Sequence, residues 1–252
     1  ICSAPLVGQP NAGLTGQGLR LACAEPGDQL AIFGEALREL TEKATYLYEE
    51  AGRYWFSTQP TLNRLADDRA KALPDHEVDT AIADVLREDA VSKSGFHRVF
   101  AAPDDPVTID EAQSLSLVIL GPALAHAGKG IAKSPATDAV ADALMRCRAS
   151  QRRLRNTLIF VAPDEAGLAN AREVMSKAMA WASIDYDVNN DKGRLRSQTT
   201  RTQADDAKDK AKTNRESALK AIRAAWSHIL YPVKSETAGK PFDLEHSLIS
   251  SR

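Results

Sequence analysis

The sequence predicts an α+β chain: two folding modules, then a long charged helix. Three observations carry this reading. From Leu14 to Leu65 the order is a short helix, a longer helix, an aromatic hairpin and another helix. From His97 to Trp181, apolar strands alternate with helices, the pattern of a layered α/β domain. From Asp185 onward a polar stretch leads into a helix dense in Lys, Arg and Asp.

Each element of the first module has a local cause. Thr15 caps a helix through about Ala24, and Pro26-Gly27 terminates it. Asp28 starts the longer helix, where Leu30, Phe33, Ala36, Leu37 and Leu40 recur at three- and four-residue steps to give one apolar stripe. Thr45–Glu49 and Arg53–Ser57 alternate and are rich in aromatics; Glu50-Ala51-Gly52 between them makes a hairpin. Pro60 ends the second strand, and Thr61 caps the helix carrying Leu62 and Leu65. This order is that of a winged helix, with Arg53, Tyr54 and Trp55 in its wing. Pro74-Asp75 opens a helical extension through Ile82, Val85 and Leu86, so the first domain is expected over residues 1–92.

The second domain, a small parallel α/β unit, is expected over residues 93–185. His97–Ala101 is a strand, followed by the turn-rich Pro103-Asp104-Asp105-Pro106. Leu115–Leu120 is a continuous apolar run stopped by Gly121-Pro122, as a strand buried on both faces should be. Ser134-Pro135 is a cap followed by proline in the first turn, opening a helix to about Arg148. Asn156–Ala162 is the second buried strand, and Pro163-Asp164-Glu165 starts a helix that turns Leu168, Met175, Ala178 and Trp181 to the sheet. The connections between these strands are expected to be right-handed. Residues 186–252 are read as a mobile linker, a long charged helix and a tail. Leu219, Ile222, Trp226 and Ile229 set the helix's apolar stripe, Tyr231-Pro232 ends it, and the tail from Lys234 reads as unstructured.

Composition bounds the function. With 43% hydrophobic and 26% charged residues and a net charge of −2, nothing pulls the whole chain toward nucleic acid or an anionic membrane. The longest apolar runs are too short to span a bilayer, and residues 1–8 lack the basic start and apolar run of a signal peptide. Cys2, Cys23 and Cys147 lie far apart without metal-ligand spacing and read as reduced thiols of a cytoplasmic protein. The sequence opens on Ile1-Cys2-Ser3 and stops at Ser-Ser-Arg, so both ends are expected to be cuts in a longer protein.

No motif for catalysis emerges. The nearest approach to a phosphate-binding loop is Gly121 to Lys129, which has six residues between its glycines where four are needed, and Gly130 where the metal-binding hydroxyl belongs. His76, His97, His126, His228 and His246 form no i, i+4 pair and no clustered ligand set, so no metal site is expected. Cys23 and Cys147 sit in helical contexts among apolar neighbours and read as packing residues. Asp67-Asp68 and Asp104-Asp105 read as a helix surface and a turn rather than as magnesium sites.

Two tracts could meet a phosphate backbone. Arg146, Arg148, Arg152, Arg153 and Arg155 are five arginines in ten residues, and arginine forks suit phosphate oxygens. The competing reading is a helix end whose basic residues satisfy the terminal carbonyls. Between Lys192 and Arg223, ten bases face four acids, and Lys208, Lys212 and Arg215 are the contact candidates there. The hairpin module itself argues against duplex binding: from Asp28 to Ser57 six acids stand against three bases.

Several phrases also resemble one family. They are Arg53-Tyr54-Trp55-Phe56-Ser57-Thr58-Gln59-Pro60-Thr61, Arg64-Leu65-Ala66-Asp67-Asp68-Arg69-Ala70, Leu117-Val118-Ile119-Leu120-Gly121-Pro122, Arg155 to Asp164, and Trp226 to Val233. In this order they resemble large microbial AAA+-type ATPases of the domain of unknown function 499 family, which are often encoded beside DNA methyltransferases in anti-phage islands. The resemblance spans most of the chain. It implies a region downstream of the motor core, with ATP and magnesium bound by that core and no cofactor in this stretch. It further implies a non-catalytic accessory role that couples the motor to a partner or nucleic acid. The upstream core is then the expected partner, with DNA and a second copy of the chain as further candidates and no membrane. An autonomous DNA-binding winged helix is the alternative, and a metal-dependent hydrolase using the acidic pairs is a third.

Overall fold

Apolar strands without alternation must be covered on both faces, and that requirement organises most of this chain. The computed structural model describes residues 13–50, 52–56, 61–93, 95–128, 130–189, 195 and 199–249. By internal contact the chain divides into two units: residues up to Ala72 with Ser183–Ala207, and Leu73–Ala182 with Lys208–Arg252.

The first unit contains β1 (Leu14–Thr15), α1 (Gly16–Cys23), α2 (Leu30–Lys43), β2 (Leu47–Glu50), β3 (Arg53–Phe56) and α3 (Leu62–Ala72). The strands form an antiparallel sheet in the order β1-β3-β2. Thr15 caps α1, its side chain accepting from the Gly18 N–H at 3.0 Å. Gly52, at φ +73°, turns the hairpin, and Tyr48 stacks on Trp55 across it with ring centroids 5.9 Å apart. Leu19, Leu47 and Ala66 are buried, whereas α2 buries none of its residues. The helix expected to fill this unit's core therefore leaves its stripe largely uncovered. Arg69 ties α3 to the end of α6 (Glu165–Asn189), with 2.6 Å contacts to Ser183 and Asp187.

The second unit holds α4 (Asp75–Lys93), β4 (Arg98–Ala101), β5 (Ser116–Ile119), α5 (Pro135–Met145), β6 (Arg146–Cys147), β7 (Ser150–Gln151) and β8 (Leu158–Pro163). It also holds β9 (Trp226–Val233), β10 (Asp243–Leu248), and most of α6 and of α7 (Arg201–Ala225). A five-stranded sheet runs β10-β9-β8-β5-β4. β4, β5 and β8 are parallel, with Phe100, Val118 and Phe160 in register; β9 and β10 add to β8 as antiparallel strands. Val118, Leu120, Leu158, Phe160 and Leu230 meet Val140, Ala143 and Leu144 of α5 on one face. On the other face Val78, Ile82 and Leu86 of α4, Leu168 of α6 and Ile222 of α7 form a second core. Each fully buried aromatic or aliphatic side chain contributes about 1.5–3 kcal/mol. The Trp226 indole N–H, from that second core, donates to the Leu120 carbonyl at 2.8 Å.

The parallel strands agree with the sequence reading, and four expectations need correction. The long helix ends at Ala225, and Trp226–Val233 is a strand, not its last turns. Trp226, His228 and Leu230 are buried in alternation, so period two prevailed where Leu219, Ile222, Trp226 and Ile229 also fitted a helical stripe. The tail expected to be unstructured supplies β10, paired with β9 from Asp243↔Val233 to Leu248↔His228. The boundary expected at 92/93 falls instead after Ala72, because α4 packs into the sheet's core. The linker expected to begin at 186 starts later, since α6 continues to Asn189; residues 190–194 and 196–198 lie outside the described residues.

Candidate functional site

The arginine-rich segment, the strongest phosphate candidate in the sequence, folds inward. Residues 146–151 make a small hairpin of β6 and β7, turned by Arg148 at φ +54°. Arg152 is fully buried; its Nε donates to the Ala143 carbonyl at 2.5 Å and its Nη2 to the Ile109 carbonyl at 2.7 Å. Arg155 Nε donates to the Leu144 carbonyl at 2.9 Å. Ala143 and Leu144 lie in the last turn of α5, whose carbonyls have no partner within the helix. Two arginines thus cap that helix from the following segment. Arg146 is held by Asp142, Arg148 pairs with Asp110 at 3.1 Å, and Arg153 is exposed. Arg152 is therefore corrected from phosphate contact to structural cap, for the reason the competing reading gave.

The other proposed contacts stay on the surface or in the sheet. Lys208, Lys212 and Arg215 are exposed along α7, and Arg215 lies 3.8 Å from Glu88 with both side chains largely in solvent. In the hairpin, Arg53 donates to the Gly13 carbonyl at 3.1 Å, Tyr54 pairs with Leu14, and Trp55 stacks on Tyr48. Cys23 is exposed and Cys147 half-buried in β6, so neither is the helix-core thiol expected. Asp105 caps the turn at Pro106–Thr108 and Asp68 pairs with Arg64, in keeping with their structural reading.

A cleft of about 700 Å³ opens at the carboxyl ends of β4 and β5, where open α/β sheets commonly hold ligands. Most of its charged lining is engaged internally, and Asp104 is exposed. Arg87 bonds Asp84 and the Ala102 carbonyl, Asp142 bonds Arg146, and Asp79 forms a two-bond pair with Arg172 at 2.7 and 2.8 Å.

The constellation that the sequence reading missed lies at the carboxyl end of β8. His126, from the loop after β5, makes an isolated bridge to Asp164; His228 projects from β9 and His246 from β10. The expectation that the histidines form no cluster is thus corrected. One ligand nitrogen from each lies within 4.8 Å of the others, with ring centroids 4.7–5.3 Å apart. His126 and His228 are buried and His246 is half-buried. The sequence separation hid them: β9 and β10 bring residues 228 and 246 to a loop about a hundred positions earlier.

The hydrogen bonds assign the tautomers, because each ring nitrogen either gives or receives. The Gly130 N–H donates to His246 Nδ1 at 3.2 Å, so His246 carries its proton on Nε2. That proton is given to His228 Nδ1 at 2.7 Å. His228 Nε2–H then points at Asp164 Oδ1 at 3.4 Å. His126 gives Nε2–H to the Gly130 carbonyl at 3.0 Å and accepts from the Ser134 hydroxyl at Nδ1 at 2.8 Å. Burial, aided by His228, holds both His126 and His246 below their ordinary pKa, so both favour the neutral form. The Gly167 N–H, 2.8 Å away, keeps the Asp164 carboxyl below its ordinary range, and His228 adds to this. The site is thus three imidazoles beside one carboxylate.

Comparison with protein families, curated proteins and solved structures finds no match. Among the described residues no helix is long and apolar enough to cross a membrane.

Proposed function

We propose that this chain is a non-catalytic accessory region of a cytoplasmic AAA+-type ATPase, coupling the motor core to a partner through its first unit. That unit is a winged helix in this reading, and ATP and magnesium belong to the motor core. The observation that carries the reading is α2, an amphipathic helix without a buried residue, on which Leu30, Ile32 and Leu40 are 56%, 61% and 54% exposed. Exposed apolar side chains gathered on one element mark interaction surfaces. The resemblance names the occupant as the motor core upstream.

The DNA-binding alternative has less support. Duplex affinity comes from neutralised phosphates, the module between Asp28 and Ser57 is acidic, and Arg152 and Arg155 are committed to α5. Lys208, Lys212 and Arg215 remain its best contacts. One titration series separates the readings. The motor core, expressed separately, should bind the chain saturably, and Ile32→Asp should abolish binding; equal binding by the variant would overturn the proposal. Labelled duplex and single-stranded DNA should show no affinity at low salt. Binding whose log affinity falls with log salt at about −0.9 per phosphate contacted would favour the DNA reading.

A further inference from the structure

We infer that His126, His228 and His246 form a binding site for a borderline divalent transition metal, of which Zn²⁺ is the type. Three features carry this beyond a chance meeting of imidazoles. The ligands come from three separate segments and converge within 4.8 Å; a tetrahedral ion with Zn–N bonds of 2.0–2.1 Å needs N···N spacings of about 3.3 Å, so the rings close inward on binding. The set contains only nitrogen donors, which suits Zn²⁺, Co²⁺, Ni²⁺ or Cu²⁺ and disfavours the oxygen-seeking Mg²⁺ and Ca²⁺. Asp164 faces the far nitrogen of His228, the carboxylate–histidine arrangement that orients metal-bound imidazoles and raises their basicity.

The network also shows what the ion must displace. It enters between His228 Nδ1 and His246 Nε2, now 2.7 Å apart and sharing one proton. His228 needs no change of tautomer, since its Nε2 proton already faces Asp164. His246 must move its proton to Nδ1, which the Gly130 N–H opposes. The space beside Gly130 is open, with nothing within 4 Å of a Cβ built on it. Three protein ligands leave a fourth position for water or for a donor from outside the chain. The ion would pin β10, an edge strand, to the loop after β5.

The test uses the full chain, stripped with chelator and titrated with Zn²⁺ or Co²⁺ alone. Calorimetry should give one ion per chain, bound Co²⁺ should show the intense visible bands of tetrahedral coordination, and Zn²⁺ should raise the unfolding temperature. Asp164→Asn should weaken Zn²⁺ by about 10–100-fold and His246→Ala by more than that. His246 is half-buried on an edge strand, so its variant keeps a folded sheet, verified by circular dichroism before titration. His76→Ala/His97→Ala should leave the affinity unchanged. Failure of the wild-type chain to bind either ion, or equal affinity in His246→Ala, would overturn the assignment.

Discussion

An Arg152→Met exchange removes a guanidinium from the interior of the second unit while roughly preserving side-chain length. The Ala143 and Ile109 carbonyls then lose donors at 2.5 and 2.7 Å, and no water reaches a residue with no exposed surface. An orphaned buried acceptor costs about 1–3 kcal/mol; Ala143 is left without a donor while Ile109 keeps only the weak Cys147 thiol at 3.5 Å, so together they cost about 2–5 kcal/mol. Opposing this, the exchange relieves a buried charge whose Nη1 has no hydrogen-bond partner. A net loss of about 3 kcal/mol follows, which in a unit of this size lowers the melting temperature by about 6–12 °C. Urea unfolding followed by circular dichroism measures it, with an unchanged m-value confirming that the native state alone is affected. Arg152→Lys, which keeps the charge but not the fork, should fall between the two. A loss below about 0.5 kcal/mol, the range of ordinary surface substitutions, would refute the capping role.

Two further predictions bear on other elements. A Cβ on Gly13 would lie 2.3 Å from the Tyr54 carbonyl oxygen, and the backbone there is at φ +93°. Gly13→Ala should therefore destabilise the β1–β3 pairing by at least about 1–2 kcal/mol from the backbone alone, read by amide exchange in β3; unchanged protection would count against that pairing. Glu111 accepts from the Leu154 N–H at 2.9 Å and from the Arg153 N–H, which holds its pKa below the ordinary 4.5. Its stabilisation is present above the ordinary value and disappears as pH falls through the lower folded value, so Glu111→Gln should flatten the acid limb of a stability–pH curve. Superimposable curves for the two chains would show that the carboxylate contributes nothing.

The parts legible in the sequence were those where one local rule acted alone. Leu117–Leu120 and Leu158–Ala162 are continuous apolar runs bounded by turns, and both became buried parallel strands. Ser134-Pro135 opened α5 with a full capping box, Ser134 and Thr137 bonding reciprocally. Reading failed where two periods fitted the same residues, as at Trp226 and Ile229. It also failed at Asp243–Leu248, a mixed polar segment that is a strand only because β9 offers it an edge. The histidines escaped for the same reason: two of them lie on those misread strands, so their meeting depends on a pairing that no local pattern announces. The charge of the arginine segment was plain; that it turns inward depended on the open carbonyls of α5.

The position of β9 bears on how the chain is made. β8 has β5 on one side and β9 on the other, yet Trp226 follows Pro163 by 63 residues (226 − 163). At about 5–20 residues per second on a ribosome, Leu158-Ile159-Phe160-Val161-Ala162 stands with one row of backbone groups unpaired for about 3–13 s. Such an edge templates pairing with any other extended chain within reach. During translation α6 and all of α7 emerge in that interval, and the sheet closes only when the hairpin of β9 and β10 arrives. A stalled or truncated product that ends before Trp226 would therefore be the aggregating species, however stable the finished protein is.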